Sequence, residues 1–169
     1  MNQELRELFE QDQADRQGGM HQGMAERDGQ RRQRLAELMA GAALQDADDN
    51  WHAAMLLHHS GNLDDNWRAH ELAKQGAALG HSGSRWLAAA AYDRWLVTQG
   101  KPQKFGTQFR MINGRLELSP IDPATTGAER AEWNVKPLAE LRPGEPSTLR
   151  PATPKPGPPA TGVEVERRA

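Results

Sequence analysis

The sequence predicts a mainly α protein: helical hairpins with one small β-hairpin, α+β by strict count. Two observations carry this. Before residue 100, apolar residues recur at helical spacing in successive stretches separated by Gly, Ser and Asn. After it, a single Asn-Gly dipeptide, Asn113-Gly114, lies between two short alternating runs.

Residues 2 to 16 read as a helix, with Leu5, Leu8 and Phe9 on one side and Asp12 and Arg16 spaced i, i+4. Gly18-Gly19 ends it. A second helix is predicted over about 24 to 43, carried by Leu35, Leu38, Met39 and Ala42. Asp46 to Asn50 reads as a loop leading into a third helix, in which Trp51, Ala54, Met55 and His58 repeat the spacing. Ser60-Gly61-Asn62 stops that helix, and Asp64 or Asp65 is the expected cap of the next, about 65 to 79. Its small face, Ala69, Leu72, Ala73 and Gly76, suits close helix packing. Ser82 is the expected cap of a fifth helix over about 83 to 99, which contains Ala88 to Ala91. Gly100 occupies the place of a left-handed C-terminal glycine, followed by Pro102.

The Asn113-Gly114 turn pairs Met111 with Leu116, Arg110 with Glu117, and Phe109 with Leu118. A type I′ turn needs positive φ at both central positions, which Asn and Gly tolerate. Thr126-Gly127-Ala128-Glu129 has the form of a capping box for a short helix to about Asn134, and Leu138 to Leu141 is expected to pack back as one more turn. Residues 1–142 are thus expected to form a single domain. Seven of the eleven prolines fall between Pro143 and Pro159, so 143–169 is expected to be a disordered Pro-rich tail that cannot offset its ordering entropy.

A net charge of −2 supplies no general field for nucleic acid, and the basic run Arg31-Arg32-Gln33-Arg34 reads as a solvated helix face or a phosphate contact. Without cysteine there is no disulfide, thiol nucleophile or cysteine metal site. The charged N-terminus lacks a signal-peptide core, and no apolar run is long enough for a membrane span. A cytoplasmic location is expected.

The segment Gly100-Lys101-Pro102-Gln103-Lys104-Phe105-Gly106-Thr107-Gln108 is more polar than a helix-to-strand connection requires. Lys101 and Arg94 suit an anionic or carboxylate-bearing ligand, and Gln103 and Gln108 suit an amide or base edge. The opposing reading has Gln103 and Thr107 satisfying loop backbone groups while Arg94 pairs with Asp93 or Asp12.

Two resemblances bear on this. Ala53-Ala54-Met55-Leu56-Leu57, Trp67, Ala69, Leu72-Ala73, Gly76-Ala77-Ala78, Gly80-His81 and Leu87-Ala88 resemble about one and a half Sel1-like repeats, relatives of tetratricopeptide repeats. Asp12-Gln13 with Arg16, His58-His59, Asp93-Arg94, Gly100-Lys101-Pro102-Gln103, Phe105-Gly106-Thr107-Gln108, Pro120-Ile121 and Pro137-Leu138 are similar, in order, to a bacterial family of small uncharacterised proteins. That family commonly has Tyr at the position of Phe105 and Gln at that of His58. The resemblance implies a site but names no reaction.

The candidate catalytic residues are His59 and Asp93. The candidate ligand-binding residues are Arg94, Lys101, Gln103, Gly106, Thr107, Gln108, Asp12 and Arg16. His59 is either an acid–base group or a helix-terminal histidine favoured by the dipole. Asp12 and Arg16 form either a surface ion pair or a support for the central loop. His52 and His59, seven apart on one face, lack further ligands, so neither a metal nor a cofactor is expected. Four of the five tryptophans, Trp51, Trp67, Trp86 and Trp95, read as packing residues. The expected function is the binding of a small polar or anionic molecule in a cleft lined by 100–108, with hydrolase or transferase chemistry as an extension. The alternative is a Sel1-like module that binds a peptide or protein. Side chains converging on a pocket would favour the first, and an open apolar helix face the second.

Overall fold

In the computed structural model, which describes residues 1–19, 22–41 and 44–144, five helices precede a two-stranded sheet and a short sixth helix. They are α1 (Gln3–Gln17), α2 (Met24–Ala40), α3 (Ala47–His58), α4 (Leu63–Ala78), α5 (Ser84–Thr98) and α6 (Gly127–Glu132), with β1 (Phe109–Ile112) and β2 (Arg115–Leu118) between α5 and α6. A 3-10 turn, Leu138–Glu140, follows. The mainly α fold with one hairpin is as the sequence predicts. The expectation for the tail falls, from residue 145 on, outside the described residues, as does Ala42 of the predicted second helix.

Most helix starts are set by short polar side chains. Asn2 accepts from Leu5 N, Asp46 from Asp49 N, and Asn62 from Asp64 N and Asp65 N. Two expectations change here. The 46–50 stretch is the cap and first turn of α3, because Asp46 satisfies the free backbone donors; its carboxylate also receives the N-terminal ammonium. Asn62, not Asp64 or Asp65, caps α4. Ser82 does not cap α5 either: the cap position is Gly83, whose N–H is accepted by His81 Nδ1 at 3.2 Å.

The core joins α1 through α5 at Leu5, Leu35, Leu56, Leu57, Leu72 and Leu87, filled out by Ala53, Ala54, Ala69, Ala73, Ala88 and Ala91. The alanines leave little side-chain volume between α3, α4 and α5, so the backbones approach closely. At Gly76 a Cβ would lie 2.7 Å from Ser84 Oγ and 3.3 Å from the Ala47 carbonyl, so only glycine fits. A second cluster, Ala89, Phe105 and Val135 with Trp86, Tyr92 and Trp133, fastens the C-terminal part to α5. Buried Arg130 strengthens that joint by donating to the carbonyls of Phe105 and Thr125 at 3.2 and 2.9 Å.

The hairpin has the register its turn chemistry predicts: Phe109 opposite Leu118, Arg110 opposite Glu117, Met111 opposite Leu116. Asn113 and Gly114 both have positive φ, 50° and 76°. Its apolar tip does not enter the core, with Met111 65% exposed. The predicted capping box at Thr126 and Glu129 is present. Gly100 takes a left-handed φ of 72° and ends α5, with Lys101 N bonding back to the Leu96 carbonyl at 3.0 Å.

Candidate functional site

The 100–108 loop is organised around one carboxylate. Asp93, fully buried on α5, accepts from Lys104 N and Phe105 N at 2.8 Å each through Oδ1. Through Oδ2 it accepts from Thr107 N at 3.0 Å and Thr107 Oγ1 at 2.8 Å. A segment with no regular ladder must satisfy its backbone donors some other way, and this carboxylate does it. Burial raises the Asp93 pKa, and the four donors oppose that rise.

Gln103 plays the complementary part. Its Nε2 donates to the carbonyls of Gln108 and Ser119 at 2.9 and 2.8 Å, and its Oε1 accepts from Gln108 N at 2.8 Å. Its backbone forms a parallel bridge with Ile121, receiving Asp122 N and donating to the Pro120 carbonyl. Gly106, at φ 88°, lies under Leu141, Ile121 and Leu138. The polar groups of Asp93, Gln103 and Thr107 therefore point into the loop, and Gly106 is covered by aliphatic side chains. Of the two readings of this loop, backbone satisfaction is the one the geometry matches for Gln103, whereas Thr107 Oγ1 bonds the side chains of Asp93 and Gln108 instead. Lys101 is exposed, hydrogen-bonded to Gln99 Oε1 at 2.9 Å, with its ammonium 5.5 Å from the Trp95 ring centroid. It borders a cavity of about 320 Å³ with Tyr92, Leu96, Lys104 and Asp122.

Gln108 carries the order of the loop outward. Its Nε2 donates to the Ala90 carbonyl and to Thr107 Oγ1 at 3.1 Å each, which fixes the amide. Its Oε1 then accepts from Arg94 Nε at 3.0 Å, while Arg94 Nη1 donates to the His58 carbonyl at 2.8 Å. Arg94 pairs with neither Asp93 nor Asp12. Among the described residues no carboxylate lies within ion-pair distance of it, and its Nη2 has no protein partner. Burial, and secondarily the neighbouring positive charge of Arg16, push the Arg94 pKa down.

On the facing side, His59 Nδ1 is 2.8 Å from Asp12 Oδ2. Asp12 is 1% exposed, so it is not a surface pair with Arg16. Its Oδ1 takes Arg16 Nη1 at 2.9 Å, and Gln13 Nε2 donates to its Oδ2 at 2.9 Å. Arg16 also reaches Asp28 Oδ2 at 3.1 Å. Asp28 and Asp15 in turn hold Arg31, through 2.6 and 2.8 Å contacts, and Arg27 joins Asp15 at 2.8 Å. Partial burial pushes the Asp28 pKa up, but hydrogen bonds from Arg16 and Arg31 outweigh it and hold the carboxyl below its ordinary value. Arg27 and then Arg31 do the same for Asp15. The basic run is thereby consumed in pairs: Arg31 as above, Arg32 with Asp65 at 3.5 Å, Arg34 with Glu4 and Glu37.

His58 joins the two halves. It is buried, its ring centroid is 5.6 Å from that of His59, and its carbonyl receives Arg94. Burial, then the charges of Arg94, His59 and Arg16, drive its pKa well below the ordinary histidine value.

The structure brings Asp12, Arg16, His59, Arg94 and Gln108 to one end of the α1–α3–α5 packing. It places Asp93, Gln103, Gly106 and Thr107 behind them as scaffold, and Lys101 apart. Sequence spacing gave no carboxylate partner for His59, because that partner comes from another helix 47 residues earlier. Gln13, Asp28, Arg31 and His58 also belong to this region and were not among the candidates. Asp28 and Arg31 are spaced i, i+3 on α2, which is the one local signal that marks them. Among the described residues no group of three or more histidines and carboxylates has the geometry to hold a metal ion, and no helix is long and apolar enough to cross a membrane.

No curated protein and no solved structure is significantly similar to the chain. A family of unknown function, DUF6624, does match it, over residues 1–143, a span that holds every residue of the site, and the chain belongs to that family.

Proposed function

We propose that this protein binds a small anionic or polar molecule at the end of α1, α3 and α5 and acts on it by acid–base chemistry, as a hydrolase or transferase. The observation that carries the reading is the 2.8 Å contact between His59 Nδ1 and the buried Asp12 carboxylate. A carboxylate there accepts the Nδ1 proton, so the lone pair of the neutral ring lies on Nε2, which has no protein partner among the described residues. Asp12 also stabilises the imidazolium that forms when Nε2 takes a proton, and Arg16 and Gln13 keep Asp12 in place. Such a positioned base contributes about 10²–10⁴-fold to a rate. Asp93, which sequence reasoning paired with His59 as a proton carrier, has both oxygens committed to the loop, so the proton-moving role falls to His59 alone. Arg94 supplies the charge that faces the ligand, and the 100–108 segment serves by holding Gln108 against it.

The test is a screen of hydrolase and transferase substrates with the full chain beside His59→Gln and Asp12→Asn. The expected result is a turnover that each substitution lowers at least about 100-fold while both variants stay folded. A turnover indifferent to both would end the reading.

A second reading, a Sel1-like interaction module for a peptide or protein, is favoured by one observation. Trp67 is 42% exposed on α4 and packs at 4.9 Å from Trp95 on α5, leaving an aromatic strip open. A cytoplasmic setting suits both readings.

A further inference from the structure

The charges around His59 do not balance, and the imbalance is local. Asp12, Asp15 and Asp28 offset Arg16, Arg27 and Arg31 in a continuous chain of ion pairs. Arg94 is left over. It is partly buried, held by one amide oxygen and one backbone carbonyl, and aimed by a side chain that the loop immobilises. A desolvated guanidinium lacking a counter-ion is unfavourable unless an anion completes it. The fold nevertheless commits Asp93, Thr107, Gln103 and Gln108 to keeping it there.

The missing anion has a definable character. Side chains reach this point from separate elements: Arg94 of α5 donates to the His58 carbonyl, His59 caps the end of α3 with its ring centroid 5.6 Å from that of His58, and Arg16 of α1 adds positive potential. A flat carboxylate presents two oxygens along one edge, which a single guanidinium satisfies. A tetrahedral oxyanion presents oxygens in several directions and so can use donors that arrive from different helices. Charge agrees: Arg94 has no carboxylate partner among the described residues and Arg16 adds positive potential beside it, which favours an anion able to carry more than one negative charge, as phosphate does. His58 adds a second, independent mark. It is buried beside this point, and its Nδ1 has no partner among the described residues. Unpaired buried polar atoms next to a site are where a bound molecule or ordered water is expected.

Resting on the acid–base reading above, we infer that the ligand carries a phosphate group, bound by Arg94 and His59 between the ends of α3 and α5. Free phosphate and a phosphomonoester share this chemistry. The experiment separates them by titrating the full-length protein with inorganic phosphate, phenyl phosphate and acetate while following the His59 ring by nitrogen-15 NMR. Phosphate should shift the His59 signals with an affinity at least about tenfold above that of acetate. Arg94→Lys, which keeps the charge but loses the fork, should weaken phosphate by a similar factor, whereas Lys101→Ala should not. A stronger response to phenyl phosphate than to phosphate identifies the ester as the better ligand; equal responses place the recognition in the phosphate alone. Acetate binding at His59 as tightly as phosphate would overturn the phosphate assignment and leave the acid–base reading standing. No response of His59 to any of the three anions would overturn both.

Discussion

Arg94 Nε donates to Gln108 Oε1 at 3.0 Å, and Gln108 Nε2 donates in turn to Thr107 Oγ1, which donates to Asp93. This relay ties Arg94 to the fully buried Asp93 through two side chains of the loop. It explains why a polar loop follows α5 in this fold: the loop's polarity is spent on its own backbone and on the aim of one guanidinium.

Asp93→Asn and Gln103→Ala should therefore act on stability. Each leaves buried donors or acceptors unpaired, at a cost of about 1–3 kcal/mol. Lys101→Ala, at an exposed position, should stay within about 0.5 kcal/mol of wild type. Urea midpoints for the three variants check this. Equal losses at Lys101 and Gln103 would contradict the division between scaffold and surface.

Gln108→Ala should have a double signature. It removes bonds to the Ala90 carbonyl and Thr107, and it frees Arg94. The melting temperature should fall and anion binding should weaken together, while Gln108→Glu, which places a carboxylate beside Arg94, should abolish anion binding. Undiminished anion binding in both would show that Arg94 needs no such support.

Gly106→Ala should destabilise the domain by at least about 1–2 kcal/mol, the cost of the left-handed conformation alone. A Cβ there would also come within 3.0 Å of Leu141 Cδ1 and 3.2 Å of Ile121 Cδ1. A urea midpoint equal to that of wild type would contradict the packing of the C-terminal turn on this loop.

Acid should weaken the fold before the carboxylates titrate. His58 has a folded-state pKa well below its unfolded value, and His52, His70 and His81 are lowered by burial as well. Below about pH 6.5 the unfolded chain binds more protons than the native one, so stability falls as pH falls. Asp93 works the other way. Its raised pKa gives stability present at low pH and lost as pH rises through that pKa. Unfolding midpoints measured at about pH 7.5 and 5.5 should show a smaller drop for His58→Gln than for wild type. An identical drop would place the histidine titration elsewhere.

Much of the fold is written locally. The helical spacings, the Asn113-Gly114 turn with its register and the Thr126–Glu129 box are short-range, and each appears where the residues put it. The cap of α4 moved to Asn62 because several polar residues compete at that helix start and the winner depends on the chain's approach, while α5 starts at Gly83 with no side-chain cap. The site was legible as residues but not as pairs. Asp12, Arg16, His59 and Arg94 carry chemistry that draws attention in any sequence. That Asp12 meets His59 rather than solvent is decided by how α1 packs on α3, which no spacing records. The loop misled for a physical reason: a segment without a ladder and a segment lining a pocket both need side-chain amides and hydroxyls, and only coordinates separate inward from outward.

The most direct test of the account is the tautomer of neutral His59 in the intact protein, read from its ring nitrogens by NMR at alkaline pH. Pairing with Asp12 requires the proton on Nδ1 and an unprotonated Nε2, with that preference lost in Asp12→Asn. A ring protonated on Nε2, unchanged by Asp12→Asn, would mean that Asp12 does not hold the base, and the proposed chemistry would fall with it.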